Sequence, residues 1–549
     1  MKARILTLVV LLAMSAAAVA QVQTYPWYNS FRNQSTAGLL EDDLDMMLGL
    51  YGYLDPARMT QVDGKRLYTN LANIYTKNEE QFNPSDTIYN AKTYVIGGTS
   101  DIFGYGKLGL LYSKNTYKDR DSMSYAYVEL DDTDGDGFFN VRSVENYQEQ
   151  NQVTEDGNNY YLGWAKQVND MKLGLAFKRS SYSYMEDSYY NYTYGDNNFI
   201  TGALLYNESE SETTSVGKSE SENIIGLSVW KPLNDKTDIS LRLAIGFGGK
   251  DTVNNSSYSW DDSYPGGASY SETEDWNYDT EYSGTILSGG GAYVYKWNDK
   301  TDTRIDLQYT HMGFKPESGT TWEYNYHEQT VNPITNSDYY DENYTDALTG
   351  EYKANDIDFR VLHKARLNRA VFAIGFGLST GNYDQIETHE RAETDIDRYN
   401  FLNDPSLPNS YVATSIWGEQ WEYARARNYL NWAFPVCVEF DLTKKIVFRL
   451  GARHQISNYD ETWSELLTGG SEMVTTVTRD GDGTTTTTFT PNPLNMQTGF
   501  SETFNGRQSV TDYTYGAGWM VTDNLQLDFM GFAQLNDLTN WKLSAVFKF

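Results

Sequence analysis

The sequence predicts an all-β chain that closes as a transmembrane, antiparallel up-and-down barrel of about 16 strands. Three observations carry this reading. Short segments throughout the chain alternate apolar and polar residues with period two. A unit of strand, tight Asn/Asp turn, strand and long polar stretch recurs every ~65 to 80 residues. The composition is that of strands and turns: of 549 residues, 45 are Tyr and 44 Gly, against 12 Pro.

Residues 1–20 read as a secretory signal peptide. Lys2 and Arg4 open it, Ile5 to Leu12 is an apolar run, and Ala18-Val19-Ala20 is a small-x-small cleavage site. The run is too short for a membrane-spanning helix, and no cysteine follows it to carry a lipid anchor. Residues 21–64 form an N-terminal periplasmic or plug segment, and residues 65–549 the barrel.

The turns along the barrel are Gln167 to Leu173, Pro232 to Leu241, Lys296 to Ile305, Ala365 to Phe372, Asp441 to Phe448 and Val521 to Leu527. The alternation after each is regular. Ile239, Leu241, Leu243, Ile245 and Phe247 share one face, and Ser240, Arg242, Ala244 and Gly246 the other. In a soluble sandwich the apolar face would turn inward; in an outer-membrane barrel it would face lipid. The secretory signal, short turns at one end, strands of ~10 residues and charges interleaved with Gly and Ala favour the barrel.

Strand centres fall at Leu71, Tyr94, Leu110, Leu162, Leu175, Leu227, Leu243, Ala292, Leu307, Phe359, Ile374, Leu430, Leu450, Tyr515, Phe529 and Ala545. The first is the weakest, so the count ranges from 14 to 18. An even count puts both termini in the periplasm. The short turns are then periplasmic, and Ser180 to Asn198, Asn207 to Asn223, Tyr258 to Tyr282 and Thr484 to Thr488 are long, acidic, Tyr-rich extracellular loops.

The inward set contains Arg242, Arg304, Asp306, Asp358, Arg360, Arg425, Arg427, Arg449 and Arg453, with Glu439 and Asp528. Mixed charge in a wide barrel implies a wet interior, since unpaired charge in a dry core is too costly. It serves either as a constriction selecting anionic or polar solutes or as a scaffold of cross-strand ion pairs.

Asp132, Asp134 and Asp136 alternate before Gly137, like the first half of a calcium loop. Ser143 stands where the closing bidentate Glu belongs, so a plain acidic turn competes with a calcium site. No other cofactor is expected. His311, His327, His363, His389 and His454 are scattered, and His454 and Ser457 differ in parity, which argues against a nucleophilic enzyme. Cys437 is the sole cysteine and reads as a small semi-buried side chain. Without Lys2 and Arg4, 41 basic residues face 75 acidic ones, which disfavours nucleic acid as a partner.

Residues 36–74 differ from the rest. Ala37-Gly38, Glu41-Asp42-Asp43, Asp45, Asp55-Pro56-Ala57-Arg58-Met59 and Gly64 precede the first strand. This stretch of about forty residues resembles the N-terminal entry of the outer-membrane long-chain fatty-acid transporter family. In that family an acidic stretch and an Asn-Pro-Ala element precede the barrel as a plug or hatch; here Asp55 stands in place of the Asn. The resemblance implies a plugged barrel admitting hydrophobic substrates, whereas the polar lumen and strand count point to a different cargo. An ordinary helical lead-in turned by Pro56 is the simpler alternative.

The chain ends in WKLSAVFKF. Trp541, Leu543, Ala545, Phe547 and Phe549 share the lipid face, and Lys542 and Ser544 the lumen face. This ending also resembles the signal recognised by the barrel-assembly machinery, carried by Trp541, Leu543, Phe547 and Phe549.

The sequence therefore predicts a porin-like channel in a Gram-negative bacterial outer membrane, passing small polar or anionic solutes. The alternatives are plugged, fatty-acid-transporter-like uptake and a surface structural or adhesive protein anchored by a closed barrel. Outer-membrane lipid, small solutes and the assembly machinery are the implied partners.

Overall fold

The computed structural model describes residues 30–49, 53–70, 92–135, 137–265, 267–331, 335–401, 411–469, 472–479, 485–491, 499–532 and 542–549. The signal-peptide segment, Leu71, Asp136 and Trp541 lie outside the described residues. None of the described helices is long and apolar enough to cross a membrane.

Eighteen strands form one antiparallel sheet. They are β1 (Arg66–Asn70), β2 (Lys92–Asp101), β3 (Lys107–Asp131), β4 (Val141–Val168), β5 (Met171–Asn198), β6 (Leu204–Asn234), β7 (Thr237–Ser263), β8 (Ser269–Asn298) and β9 (Thr301–Val331). There follow β10 (Thr335–Leu367), β11 (Ala370–Phe401), β12 (Tyr411–Asp441), β13 (Ile446–Gly469), β14 (Glu472–Arg479), β15 (Thr485–Pro491), β16 (Phe500–Thr522), β17 (Leu525–Phe532) and β18 (Lys542–Lys548).

Sixteen of them close the ring. β13 pairs directly with β16 from Ile446↔Trp519 to Glu465↔Phe500. The β14–β15 hairpin is an insertion, with β14 pairing only the far end of β12, from Tyr411↔Arg479 to Ile416↔Val474. Fifteen of the sixteen predicted strand centres lie in ring strands. β18 closes the barrel on β1 through Leu67↔Phe547 and Thr69↔Ala545. Lys65 N donates to Phe549 O at 3.3 Å, and Phe549 N donates to Lys65 O at 3.1 Å, so the final residue is part of the seam.

Asparagine makes the tight turns. Asn169 and Asn368 adopt φ of 57° and 51°, a left-handed conformation that Asn tolerates better than most residues. In the two NDKTD turns Asn234 Oδ1 accepts from Lys236 N and Asn298 Oδ1 from Lys300 N, both at 2.9 Å. These side chains stand in for backbone turn bonds and fix the register.

Strand length departs from expectation. Ser180 to Asn198 and Asn207 to Asn223 are strand, paired from Ser180↔Glu222 to Asp196↔Tyr206 rather than looped. Most of Tyr258 to Tyr282 likewise continues β7 and β8, and Thr485 to Thr488 lies in β15. The polar stretches keep period two; from Tyr206 to Thr213, tyrosine and glutamate share the inner face and Asn, Ser and Thr the outer one. At 33 residues β10 rises roughly 80 Å at a tilt near 40°.

Two short helices and a 3₁₀ turn precede the ring: α1 (Phe31–Ser35), α2 (Asp43–Leu48) and Pro56–Gln61. Ser30 caps α1, its Oγ accepting from Asn33 N at 3.0 Å. Asp42 and Asp45 form a capping box on α2. Asp45 also accepts from Ser30 N at 2.9 Å and Ser30 Oγ at 2.5 Å, which ties α2 to α1. The acidic cluster of the sequence is thus largely spent on holding this segment together.

Candidate functional site in the barrel lumen

The two faces of the wall are chemically opposite. In β7 Leu241 is 67% exposed and Arg242 3%; in β9 Leu307 is 54% exposed and Asp306 4%. A soluble sandwich would reverse those values. The outward apolar run is short. In β5 it ends at Phe177 and gives way to Arg179, Ser181 and Ser183; in β7 it ends at Phe247, before Gly249 and Asp251. That is a belt of ~25 Å beside the short turns, the height a lipid bilayer requires. The chain is a bacterial outer-membrane β-barrel.

No protein-family model and no curated protein matches it. Among solved structures, a Pseudomonas aeruginosa FadL homologue shares 12% identity over 96% of this chain and 99% of its own, at a TM-score of 0.27. The siderophore receptor PirA from Acinetobacter baumannii shares 9% identity over 89% and 81%, at 0.20. The ferric yersiniabactin uptake receptor FyuA from Yersinia pestis shares 8% over 88% and 79%, at 0.23.

Residues 30–49 and 53–62 pack inside the ring near the short turns. Leu44, Met47, Leu48, Leu54 and Met59 form one buried cluster with Tyr68, Val95, Leu111, Tyr161, Ala176 and Val546 of the wall. Leu39 and Leu40 meet Val371, Ala373 and Cys437, so the lone thiol is a small packing group. Glycines make room for this approach. A Cβ on Gly109 would fall 2.5 Å from Met59 Sδ, one on Gly226 2.8 Å from Leu54 Cβ, and one on Gly451 2.7 Å from Ala37 N.

Polar contacts complete the docking. Trp230 Nε1 donates to both Asp55 oxygens at 2.8 and 2.9 Å. Ala57 N donates to Ser228 Oγ at 2.8 Å, and Tyr161 Oη to Met47 O at 2.7 Å. The element resembling the transporter motif, Asp55-Pro56-Ala57, is therefore the part that fastens to β6. The sequence alone identifies neither Trp230 nor Ser228 as its partner.

The predicted lumen residues divide into two groups. Arg242, Arg304, Asp306, Arg449, Glu439 and Asp528 are buried beside the N-terminal segment in closed ion networks. Asp306 pairs with Arg304 at 2.6 Å and Arg242 at 3.1 Å, and Glu41 lies 3.9 Å from Arg304 and 2.5 Å from Arg58. Arg449 bridges Glu439 at 2.8 Å and Asp528 at 2.6 Å, and Arg32 takes the other Glu439 oxygen at 2.7 Å. These charges match the scaffold alternative.

The second group stands higher in the lumen. Arg425 and Arg427 share Glu461 at 2.6 and 3.7 Å, and both line a 480 Å³ cavity with Asp356, Tyr383, Tyr429 and Tyr459. Arg427 stacks 4.3 Å over the Tyr459 ring. Arg360 lies 3.7 Å from Asp358, which also accepts from the Tyr53 hydroxyl of the N-terminal segment. Asp358, Arg360 and Arg453 line a second, 610 Å³ cavity beside α1.

Farther from the turns, tyrosine or tryptophan donates to a carboxylate two residues away on the same inner face. The pairs include Tyr147–Glu149 at 2.6 Å, Tyr206–Glu208 at 3.1 Å, Tyr340–Glu342 at 3.0 Å and Trp421–Glu419 at 2.7 Å. Glu342, Glu393 and Asp395 converge there across β10 and β11, with ligand oxygens within 4.8 Å of one another. Burial raises the pKa of both Glu342 and Asp395, and the like charge of Asp395 adds to the rise at Glu342. The sequence signal for this lining is Tyr-x-Glu at period two.

In the Asp132 turn, Oδ1 accepts from Gly135 N and Oδ2 from Gly137 N, both at 2.8 Å. Asp132 thus supplies side-chain hydrogen bonds to the backbone of this turn. His454 hydrogen-bonds Thr511 at 2.8 Å and Ser509 at 3.4 Å on the exposed outer face. His389 meets Asp346 at 2.9 Å in the lumen. Among the described residues no histidine joins a serine hydroxyl and a carboxylate, as nucleophilic catalysis of that type requires.

Proposed function

We propose that the protein is a plugged outer-membrane channel for polar solutes, in which residues 30–62 close the passage and must shift to open it. One observation carries this reading. The segment contacts inward-facing residues from β18 and β1 through β6 on one side and from β11, β12 and β13 on the other. Its position inside the lumen at belt height, with cavities left beside it, supports a closure that can shift. The lining above is polar, with amides, tyrosines, carboxylates and the Arg425–Arg427 pair. That chemistry supports solutes rich in hydrogen-bonding groups over long acyl chains. Arg242, Arg304 and Arg449 are committed to carboxylates, so anion selection by them is not part of the proposal.

Planar-bilayer recording tests it. The full chain should conduct poorly, and deletion of residues 30–62 should give large, stable openings in protein whose heat-modifiable gel mobility still reports a folded barrel. Unchanged current in the folded deletion variant would reject plugging. That outcome would favour the surface-scaffold reading, which draws support from strands that run far past the belt.

A further inference from the structure

Past the belt the two faces of the wall are sorted by charge. On β6 between Tyr206 and Asn223, Glu208, Glu210, Glu212, Glu220 and Glu222 all fall on the inner face, while the outer face holds only Ser, Thr, Asn and Gly. Both faces meet water at this height, so solubility alone does not explain the sorting. Register carries the pattern round the wall. One inner row across β4 to β9 reads Glu149, Tyr190, Glu212, Tyr258, Glu274 and Tyr324, and Glu342 and Asp395 follow on β10 and β11. The adjacent row, from Tyr147 on β4 to Asp397 on β11, likewise holds only tyrosine, tryptophan and carboxylate. Neither row contains Lys, Arg or His. With strands ~4.8 Å apart, the glutamates of the first row recur every ~10 Å with a ring between them.

Neutral groups donate to these carboxylates. Glu149 accepts from Tyr147 at 2.6 Å and Asn151 at 2.9 Å, and Glu274 from Trp322 at 2.7 Å. Two like-charged pairs stand directly opposite each other, Glu208↔Asp262 and Glu342↔Asp395, which is unfavourable unless a cation lies between them. Asp262 is 6% exposed, and its Oδ1 has no hydrogen-bond donor among the described residues; Asp395 Oδ1 has none either. Shielded acceptors of this kind call for a donor. Where the inner wall carries cations of its own, a carboxylate and a ring hold each one together. Lys218 Nζ lies 2.9 Å from Glu220 and 5.8 Å from the Tyr182 ring centre; Arg425 lies 2.6 Å from Glu461 and 4.8 Å from that of Trp463. The two rows repeat the same pairing without a cation of the chain.

We propose that this inner wall binds linear organic polycations, with ammonium groups at Glu149, Glu212 and Glu274 and the hydrocarbon between them on the Tyr190 and Tyr258 rings. Carboxylate attraction and cation–π contact act together on such a solute. Glutamates ~10 Å apart cannot share one coordination shell, so the row suits an extended polyamine over a single metal ion. The wall stands beyond the N-terminal segment, so solutes collected on it are presented to the passage; that they are its cargo rests on the plugged-channel reading.

Isothermal titration calorimetry of the full chain in zwitterionic detergent, with spermine as the probe, tests the assignment without requiring the passage to open. Saturable binding that weakens with added salt is expected. The variant Glu149→Gln, Glu212→Gln, Glu274→Gln should bind about tenfold more weakly, and Tyr190→Leu, Tyr258→Leu about fivefold more weakly. A control variant, Asp275→Asn, Asp279→Asn, Glu281→Gln, removes three exposed outward carboxylates of β8 and should bind as the parent does. Mg²⁺ equimolar with spermine should displace little of it. Parent-like affinity in the Gln or the Leu variant would overturn the proposal, as would equal weakening in the outward control. Full displacement by Mg²⁺ would show an undiscriminating acidic surface and overturn it too. Heat-modifiable gel mobility verifies the fold of each variant. Plugging is decided separately, by conduction of the variant lacking residues 30–62, so either reading can fail alone.

Discussion

Replacing Asp55 with Ala should loosen the N-terminal segment without unfolding the barrel. Asp55 and Trp230 are 1% and 5% exposed, so the indole N–H loses both acceptors where water has little access. An unpaired buried donor costs about 1–3 kcal/mol, and the lost bonds are charge-assisted, toward the upper end of that range. Arg58 and Arg304 also flank the Trp230 ring at 5.9 and 5.6 Å, so removing a carboxylate leaves the two guanidiniums less compensated. At about 2–3 kcal/mol, the undocked fraction rises roughly 30- to 150-fold. Amide hydrogen exchange reads this directly. Ala57 N is bonded to Ser228 Oγ and Arg58 N to Asp55 O, and both amides should exchange faster by about that factor. Asp55→Asn keeps one acceptor for the indole, so it should lie between parent and Ala. Parent-like exchange in Asp55→Ala would refute the claim that this contact holds the segment.

Three further outcomes are expected. Gly174→Val places a side chain onto the backbone of Pro56 and Ala57, so it should mimic Asp55→Ala in exchange while leaving gel mobility of the barrel unchanged. Arg449→Gln strips Asp528 of its cation in a site 2% exposed, and should cost about 3–5 kcal/mol, read as a lower temperature for loss of the folded gel form. His389 lies beyond the belt; burial disfavours its charged form, but hydrogen bonds to Asp346 and Glu387 outweigh this and raise its pKa to about 9. The stabilisation it contributes is therefore complete below about pH 6.5 and lost as pH rises through about 9. Its ring resonance should remain in the protonated position at pH 8 and fall toward ordinary histidine values in Asp346→Asn.

The ring was legible because its two faces see different media. Leu241 against Arg242 and Leu307 against Asp306 are strong contrasts in hydropathy, and period two assigns each to a side. The lengths of the strands were not legible by the same signal. Past the belt the outer face meets water, so both faces become polar and hydropathy no longer alternates. Tyr206 and Glu208 against Asn207 and Ser209 still alternate, but in hydrogen-bonding partners. An apolar/polar reading registers such a stretch as a loop.

The buried charges show a different limit. Their inward direction follows from parity, but their role depends on who neutralises them. Asp306 and Asp528 belong to strands far from Arg242 and Arg449 in the chain, and Glu41 and Arg32 come from the segment before the barrel. No local spacing reports those partners. The glycines carry a stronger trace of the same fact. Gly109, Gly174, Gly226, Gly375, Gly451 and Gly516 occupy inward positions on six strands, and a Cβ at each would strike residues between Ser35 and Met59. An open, water-filled lumen imposes no such demand, because a side chain there meets only solvent. Glycine on the inner face at one height around the ring is therefore the pattern expected where a second length of backbone lies against the wall.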